Sequence, residues 1–267
     1  MQLASEYRAL RASLQRVEDD GAVFAAEAYD PAAVARARTV WTTRTQNEYR
    51  STFVFSALAS QVLAAGASVE ASAVTLRMAQ DELVHAERCA DVSVALGAPR
   101  PVLPGAAGPA GIATHTKVSR EECALRNVVY TTCITEMTAV AYLTLSLERA
   151  RDRYLRNAIR APLADETLHG RFGFLYLESW DAWLRARPEV RASLTRYLRF
   201  AFAVAERELS QAPKAFARTA DDDALGDVDP GEMGEIYRNT MEHAVAPGLE
   251  RFGLDAEAAY RTRTFAP

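Results

Sequence analysis

The chain contains the pattern Asp-Glu-x-x-His twice, at 81–85 and at 165–169. A glutamate and a histidine three residues apart lie on one face of an α-helix, about one turn from each other. A carboxylate and an imidazole in this arrangement can bind the same metal ion. One copy arises easily by chance in a helix-rich protein, but the chain has only four histidines and two of them occur in this frame. The repeated motif therefore predicts two helices that face a shared metal site.

Two further glutamates, Glu48 and Glu136, lie where other helices could supply ligands. Glu136 is the only charged residue between positions 128 and 147, and a lone carboxylate is expensive to bury unless it is paired or metal-bound. Glu48 has more polar neighbours. Glu48 precedes Glu82 by 34 residues and Glu136 precedes Glu166 by 30. Each interval matches half of one helix, a turn and half of the next antiparallel helix. The two glutamates of each helical hairpin are therefore predicted to lie side by side, at the same level along the bundle axis.

Start and stop signals divide the middle of the chain into four long helices. Asp followed by Pro at 30–31 is a typical helix start, and glycines at 66 and 97 end the first two helices. The stretch 98–117 is rich in Pro and Gly, cannot continue a helix, and is long enough to cross the length of a bundle. The predicted helices cover about 31–65, 68–96, 119–149 and 152–185.

The rest of the chain also has a helical pattern, and no strand-like alternation is long enough to build a sheet. We predict helices at 3–18, 188–211, 231–246 and 254–262, and a loop at 221–226. The fold class expected is all-α: a ferritin-like four-helix bundle with a long crossover between the second and third helices and additional C-terminal helices. The chain, 1–267, is expected to be a single domain, with the metal-binding bundle at 31–185 and a helical extension at 186–267.

Composition narrows the location and the type of site. The net charge of −4 disfavours a nucleic-acid partner. The first residues lack the apolar region of a secretory signal, and no uncharged apolar run reaches membrane-spanning length, so we expect a cytoplasmic protein without a membrane partner. The three cysteines, Cys89, Cys123 and Cys133, fit a reducing compartment. They form no C-x-x-C pair, which excludes a thiolate zinc site or a rubredoxin-type iron site.

The predicted ligand set combines one glutamate from each of two helices with a Glu-x-x-His pair from each of the other two. This is the inward-facing set of dinuclear carboxylate bundles. Four carboxylates offset most of the charge of two divalent ions, and one imidazole per metal suits iron or manganese. We therefore expect two Fe ions, with Mn or mixed Mn/Fe as alternatives. The expected ligands are Glu48, Glu82, His85, Glu136, Glu166 and His169.

With this ligand pattern, the chain resembles the ferritin-like di-iron carboxylate superfamily over roughly residues 38–185. Its doubled Asp-Glu-x-x-His is similar to the pair in the hydroxylase subunits of bacterial multicomponent monooxygenases. In those subunits an arginine usually precedes the histidine, whereas Val84 and Leu168 occupy those positions here. The chain is also much shorter than those subunits. The resemblance thus extends to the type of site and does not assign a subfamily.

The resemblance also implies partners for the histidines. In the similar proteins, the aspartate that precedes each motif glutamate binds the histidine of the opposite motif. Asp81 is therefore expected to orient His169, and Asp165 to orient His85, as supports behind the metal ligands.

The function implied is that of a non-haem di-iron oxidoreductase, an oxidase or oxygenase that activates O2 and oxidises a small organic substrate with electrons from an unidentified donor. Tyr49, Thr132 and Cys133 are candidate walls of a substrate pocket. Two alternatives remain open from the residues: iron oxidation or storage as in ferritin or rubrerythrin, and hydroxylation of a modified tRNA base. The C-terminal helices could cap the pocket or form the interface of a homodimer.

Overall fold

The computed structural model of the protein describes residues 21–101, 111–210 and 218–265. The helix predicted at 3–18 lies outside these residues. All regular elements within them are helical, so the all-α prediction is confirmed. The helices are α1 (Pro31–Ala64), α2 (Val69–Ala95), α3 (Arg120–Arg149), α4 (Arg153–Ser179), α5 (Asp181–Arg185), α6 (Pro188–Ser210), α7 (Ala220–Ala224), α8 (Met233–Thr240, continued by Met241–Val245 and Ala246–Glu250) and α9 (Ala256–Arg261).

The ends of the long helices are determined by local sequence. The side chain of Asp30 caps α1 by accepting a hydrogen bond from the amide of Ala32, and Ser68 caps α2 in the same way. Gly66 and Gly97 follow α1 and α2 with φ angles of +75° and +85°, a left-handed conformation in which glycine avoids the steric cost of a Cβ. The predicted boundaries of these two helices are confirmed to within one or two residues.

Helices α1 to α4 pack as a bundle. α1 lies against α2 and α3, and α4 lies against α3 and α2. Residues 102–110 of the predicted crossover between α2 and α3 lie outside the described residues. α3 is long and apolar enough to cross a membrane by length and composition alone, but half of its most apolar window is buried within the protein. A bundle helix that contributes to the core meets the same criterion.

α3 is not a regular α-helix along its whole length. Residues Val129–Glu136 form a π-helical segment between two α-helical parts. Three threonines around this segment, Thr131, Thr132 and Thr138, donate their hydroxyl hydrogens to the carbonyl oxygen four residues earlier, over 2.6–2.7 Å. Such bonds give a partner to backbone carbonyl oxygens that lose their usual amide donor where the helix winding changes. They are also associated with bends in helices. The π-helical segment places Glu136 at its C-terminal end, and the sequence pattern did not predict it.

α3 and α4 approach each other closely at a glycine. A Cβ added to Gly173 would lie 2.1 Å from the hydroxyl of Thr132 and 2.5 Å from the sulfur of Cys133. Only a residue without a side chain fits there. The contact brings the π-helical segment of α3 against the α4 face that follows Glu166 and His169.

The C-terminal helices share the core of the bundle. α6 and α8 pack against α3, and α9 packs against α6. Phe202 of α6 and Tyr237 of α8 belong to the same buried cluster as Phe55 and Leu125 of the bundle. Tyr237 also donates a hydrogen bond of 2.8 Å to the carbonyl of Phe202.

Two element predictions were wrong. The loop predicted at 221–226 contains the short helix α7, which begins at a capping box between Thr219 and Asp222. Asp222 is fully buried and accepts two hydrogen bonds from Arg36 of α1. This ion pair connects α7 to the bundle. The predicted helix 152–185 is interrupted at Trp180, whose ring packs against Tyr176 and Trp183.

We predict that Gly173→Ala destabilises the protein by roughly 1–3 kcal/mol, the usual effect of overpacking, and lowers its melting temperature by several degrees. The added methyl group would collide with Thr132 and Cys133. Thermal unfolding followed by circular dichroism measures the effect.

Gly234→Ala is the matched control. Gly234 lies inside α8, and an added Cβ would meet only the terminal nitrogen of Arg238, at 3.4 Å. Alanine there should leave stability unchanged or raise it slightly. Equal melting temperatures for the two variants would contradict the close α3–α4 contact.

Candidate metal centre

The four long helices bring six acidic and imidazole side chains together inside the bundle. Five of the six are at most 8% exposed, and Glu48 is partly exposed. α1 and α3 contribute one glutamate each, whereas α2 and α4 contribute a glutamate and a histidine each. The residues are Glu48, Glu82, His85, Glu136, Glu166 and His169.

These side chains form two overlapping groups of potential ligands. The first comprises Glu48, Glu82, His85 and Glu166, and the second comprises Glu82, Glu136, Glu166 and His169. Within each group the potential ligand atoms all lie within 4.8 Å of one another. Glu82 and Glu166 belong to both groups. Each group could hold one metal ion, with these two carboxylates between the ions.

Both histidines direct the same ring nitrogen toward the carboxylates. Nδ1 of His169 lies 2.9 Å from Glu166 and 3.2 Å from Glu82. Nδ1 of His85 lies 3.4 Å from Glu166 and 3.9 Å from Glu82. The Nε2 atoms point away from the centre of the cluster.

The Nε2 atoms meet the two aspartates of the motifs. His85 Nε2 lies 3.2 Å from the carboxylate of Asp165, and His169 Nε2 lies 3.4 Å from that of Asp81. These are the cross-pairs that the resemblance implied. With a metal bound, an aspartate that accepts a hydrogen bond from Nε2–H would leave the lone pair of Nδ1 for the metal, which is the tautomer that a metal requires.

One support behind the histidines was not predicted. Arg77 lies one turn before Asp81 on α2 and donates a hydrogen bond of 2.6 Å to it. Burial would raise the pKa of Asp81, but its bonds to His169 and Arg77 outweigh burial and lower the pKa. The aspartate thus remains charged beside His169. The i, i+4 spacing of an arginine and an aspartate was the available signal in the sequence.

Two buried atoms of the cluster support a metal as the missing partner. His85 Nδ1 and Glu82 Oε1 make no well-formed hydrogen bond although they are shielded from solvent. A buried polar atom without a partner costs free energy. Oxygen-rich donors with one imidazole in each group are the chemistry that iron and manganese accept. The residues present therefore fit a pair of such ions.

The clustered glutamates perturb one another's ionisation. Burial, together with the negative charges of Glu82 and Glu166, raises the pKa of Glu48 well above its ordinary value. Burial and the proximity of Glu166 do the same to the pKa of Glu136. Without a cation, the site thus holds part of its carboxylates in the protonated form.

The pKa values of Glu166 and of the two histidines change in the directions expected for ion pairs. Burial would raise the pKa of Glu166, but His169 and its other hydrogen-bond partners hold it well below the ordinary value. Burial opposes charge on the imidazoles, yet the acidic partners raise the pKa of His85 and of His169 well above the ordinary value.

A cavity of about 330 Å³, which we call the inner cavity, reaches the site. Four of the glutamates line it: Glu48, Glu82, Glu136 and Glu166. Its other walls come from all parts of the fold, including Arg44 of α1, Thr135, Ala139 and Tyr142 of α3, Leu209 of α6 and Met233 of α8. The C-terminal helices therefore help to enclose the space beside the carboxylates.

The three residues predicted as pocket walls lie away from the inner cavity. Thr132 and Cys133 are fully buried at the α3–α4 contact beside Gly173, and Tyr49 stacks edge-on against Phe53 at 5.3 Å. None of the three belongs to the lining of the inner cavity. The π-helical winding shifts which residues of α3 share a face with Glu136, so a count based on 3.6 residues per turn selected other residues. The wall is formed by Thr135 and Ala139 instead.

No protein-family model matches the chain, and no curated protein matches it. The function is accordingly inferred from the geometry of the site.

We predict that the metal-free protein loses stability as the pH rises from about 5 to 8. A carboxyl group with a raised folded-state pKa binds more protons folded than unfolded above the unfolded value of about 4.3. The contribution of such a carboxyl group to the stability of the folded protein therefore falls as the pH rises. Histidines with raised pKa values lose their stabilising contribution as the pH rises above about 6.5. Thermal unfolding of chelator-treated protein across this range measures the slope.

Added divalent metal should abolish this slope, because ions that bind the ionised carboxylates stabilise the folded state at high pH. Glu136→Gln should also flatten the slope in the metal-free protein, since it removes one of the titrating groups. A metal-free melting temperature that is constant or rises between about pH 6 and 8 would contradict the electrostatics described.

Proposed function

We propose that the chain is a ferritin-like non-haem di-iron carboxylate protein that activates O2 and oxidises a small organic molecule. The observation that carries this proposal is the inner cavity, which brings about 330 Å³ of space to four of the six candidate ligands. A protein that only oxidises and passes on iron needs a route for ions. Space of this size beside the carboxylates, within the range of ligand pockets, favours a bound organic molecule.

Iron supplies the redox chemistry when it is bound: two ferrous ions can together deliver electrons to dioxygen. The protein's part is to hold them. Glu82 and Glu166 lie between the two groups and would bind both ions, whereas Glu48 and Glu136 each belong to one group. His85 and His169 would bind one ion each through Nδ1.

The surrounding residues hold these ligands in position. Asp165 and Asp81 fix the imidazoles through Nε2, and Arg77 fixes Asp81. The ring of Phe55 packs against that of His169, with the ring centres 5.5 Å apart. Ligands held in this way need little rearrangement when the metals bind.

We predict that Glu48→Ala and Glu136→Ala each reduce bound iron from about two ions per chain to about one. Each residue belongs to only one of the two groups, so its removal should weaken one position and spare the other. Metal analysis of anaerobically loaded, desalted protein measures the effect. Glu148→Ala, at an exposed position on the same helix as Glu136, is the control and should retain both ions. Unchanged iron content in both test variants would rule out these ligand roles.

Oxygen uptake tests the proposed reaction class. Ferrous protein mixed with O2 should consume the gas, and consumption should stop once about two ferrous ions per chain are oxidised, unless a reductant is added. A storage protein would continue to oxidise added iron well beyond this ratio. Continued uptake with mineral formation would replace the oxygenase proposal with iron storage, and an iron-loaded protein inert to O2 would refute both.

A further inference from the structure

A second, larger space adjoins the inner cavity. This outer cavity has a volume of about 660 Å³, and its walls include Val40, Val228 and Pro230. It shares several residues with the inner cavity, among them Arg44 and Tyr142. These two residues therefore stand at the junction between the broad outer cavity and the inner cavity beside the glutamates, both of which have mostly apolar walls.

Arg44 is held rigidly at this junction. Its guanidinium lies 4.5 Å from the ring centre of Trp41 and 4.9 Å from that of Tyr142, within the range of cation–π contacts. It donates a hydrogen bond to the hydroxyl of Tyr142. Rings at the faces of a guanidinium leave the N–H groups at its edge free to bind a planar acceptor.

Arg44 has no acidic side chain in direct contact, and Asp227 attracts it only from beyond ion-pair distance. Within the part of the chain that the structure describes, no carboxylate lies at ion-pair distance from it, and its Nε has no hydrogen-bond partner. A guanidinium has five N–H donors, and the bond to Tyr142 uses one. The partly exposed guanidinium thus keeps N–H donors that an anion in the cavities could accept from.

The other arginines around the outer cavity already have acidic partners. Arg36 makes two hydrogen bonds, of 2.6 and 2.8 Å, to Asp222. Arg218 lies 3.1 Å from Asp223 and 3.2 Å from Asp227. Among the arginines described in this lining, Arg44 alone lacks such a partner.

The position of Arg44 relates it to the candidate metal centre. It lies four residues before Glu48 on α1, about one helical turn or 6 Å along the axis. A molecule that paired with Arg44 could therefore place its neighbouring atoms in the inner cavity, beside Glu48 and Glu136.

We propose that Arg44 binds the carboxylate of an organic acid whose apolar part occupies the inner cavity. This inference rests on the proposed function, because it names the substrate class of the same site. One guanidinium matches one carboxylate in charge and in its two-pronged geometry. A dianionic phosphate ester fits less well, because the remaining arginines are paired and the acidic Glu208 and Asp227 line the outer cavity.

Binding to the full-length ferrous protein, measured by calorimetry without oxygen, tests the proposal. Benzoate and hexanoate are the probes, and benzyl alcohol and hexan-1-ol are their uncharged counterparts. The acids should bind at least about tenfold more tightly than the alcohols, as expected for a charge-assisted pair. Equal affinities of the unaltered protein for acids and alcohols would overturn the proposal.

Arg44→Gln separates pairing with the arginine from direct binding of the acid to metal. In this variant the preference for acids should disappear, while alcohol binding and iron content stay unchanged. If the glutamine variant does not fold, Arg44→Lys takes its place. It keeps the charge and should retain part of the preference for acids. Arg50→Gln, at an exposed position on the same helix, is the matched control and should bind acids like the unaltered protein. An acid preference that survives in folded Arg44→Gln would also overturn the proposal.

Because binding is measured without turnover, the outcome is independent of the reaction with O2. A protein that binds the acids through Arg44 but consumes no oxygen would refute the proposed oxygenase reaction and leave the acid site intact. A protein that consumes oxygen but shows no preference for acids would refute only the acid site.

Discussion

The fold must compensate for the free-energy cost of placing four glutamates inside a helical bundle. Glu82, Glu136 and Glu166 are almost completely shielded from water, and Glu48 faces the inner cavity. Burial and the mutual repulsion of carboxylates so close together raise the pKa values of Glu48 and Glu136. The two histidines offset part of the negative charge, and two divalent cations would offset most of the remainder.

Much of the surrounding architecture maintains this unfavourable cluster. The caps and glycines at the helix ends determine the lengths of the two hairpins, so that ligands 34 and 30 residues apart meet at one level. The motif aspartates lie at Nε2 of each imidazole, where they would support the tautomer that binds a metal through Nδ1. Gly173 allows α3 and α4 to approach closely just beyond the glutamates. Each feature acts on the position or the charge of a ligand.

The helices and the clustered residues were predictable because they follow local rules. Helix caps depend on one or two residues, and a Glu-x-x-His pair depends only on the helical repeat. The walls of the pocket were not predictable, since the π-helical segment of α3 rotates the face that carries Glu136 and Thr135. The junction formed by Arg44, Trp41 and Tyr142 depends on contacts between α1 and α3, which no local pattern encodes. By contrast, the capping box of Thr219 and Asp222 was a local signal for α7 that the loop prediction missed, and only the pairing of Asp222 with distant Arg36 could not be predicted from it.

The central claim is that two metal ions lie within one carboxylate cluster. Crystals of the iron-loaded protein, with diffraction data collected at the iron absorption edge, test it most directly. Two anomalous peaks are expected about 3.5–4 Å apart, each beside one histidine Nδ1, with Glu82 and Glu166 between them. A single peak, or none within a cluster that keeps the same arrangement of glutamates, would contradict it.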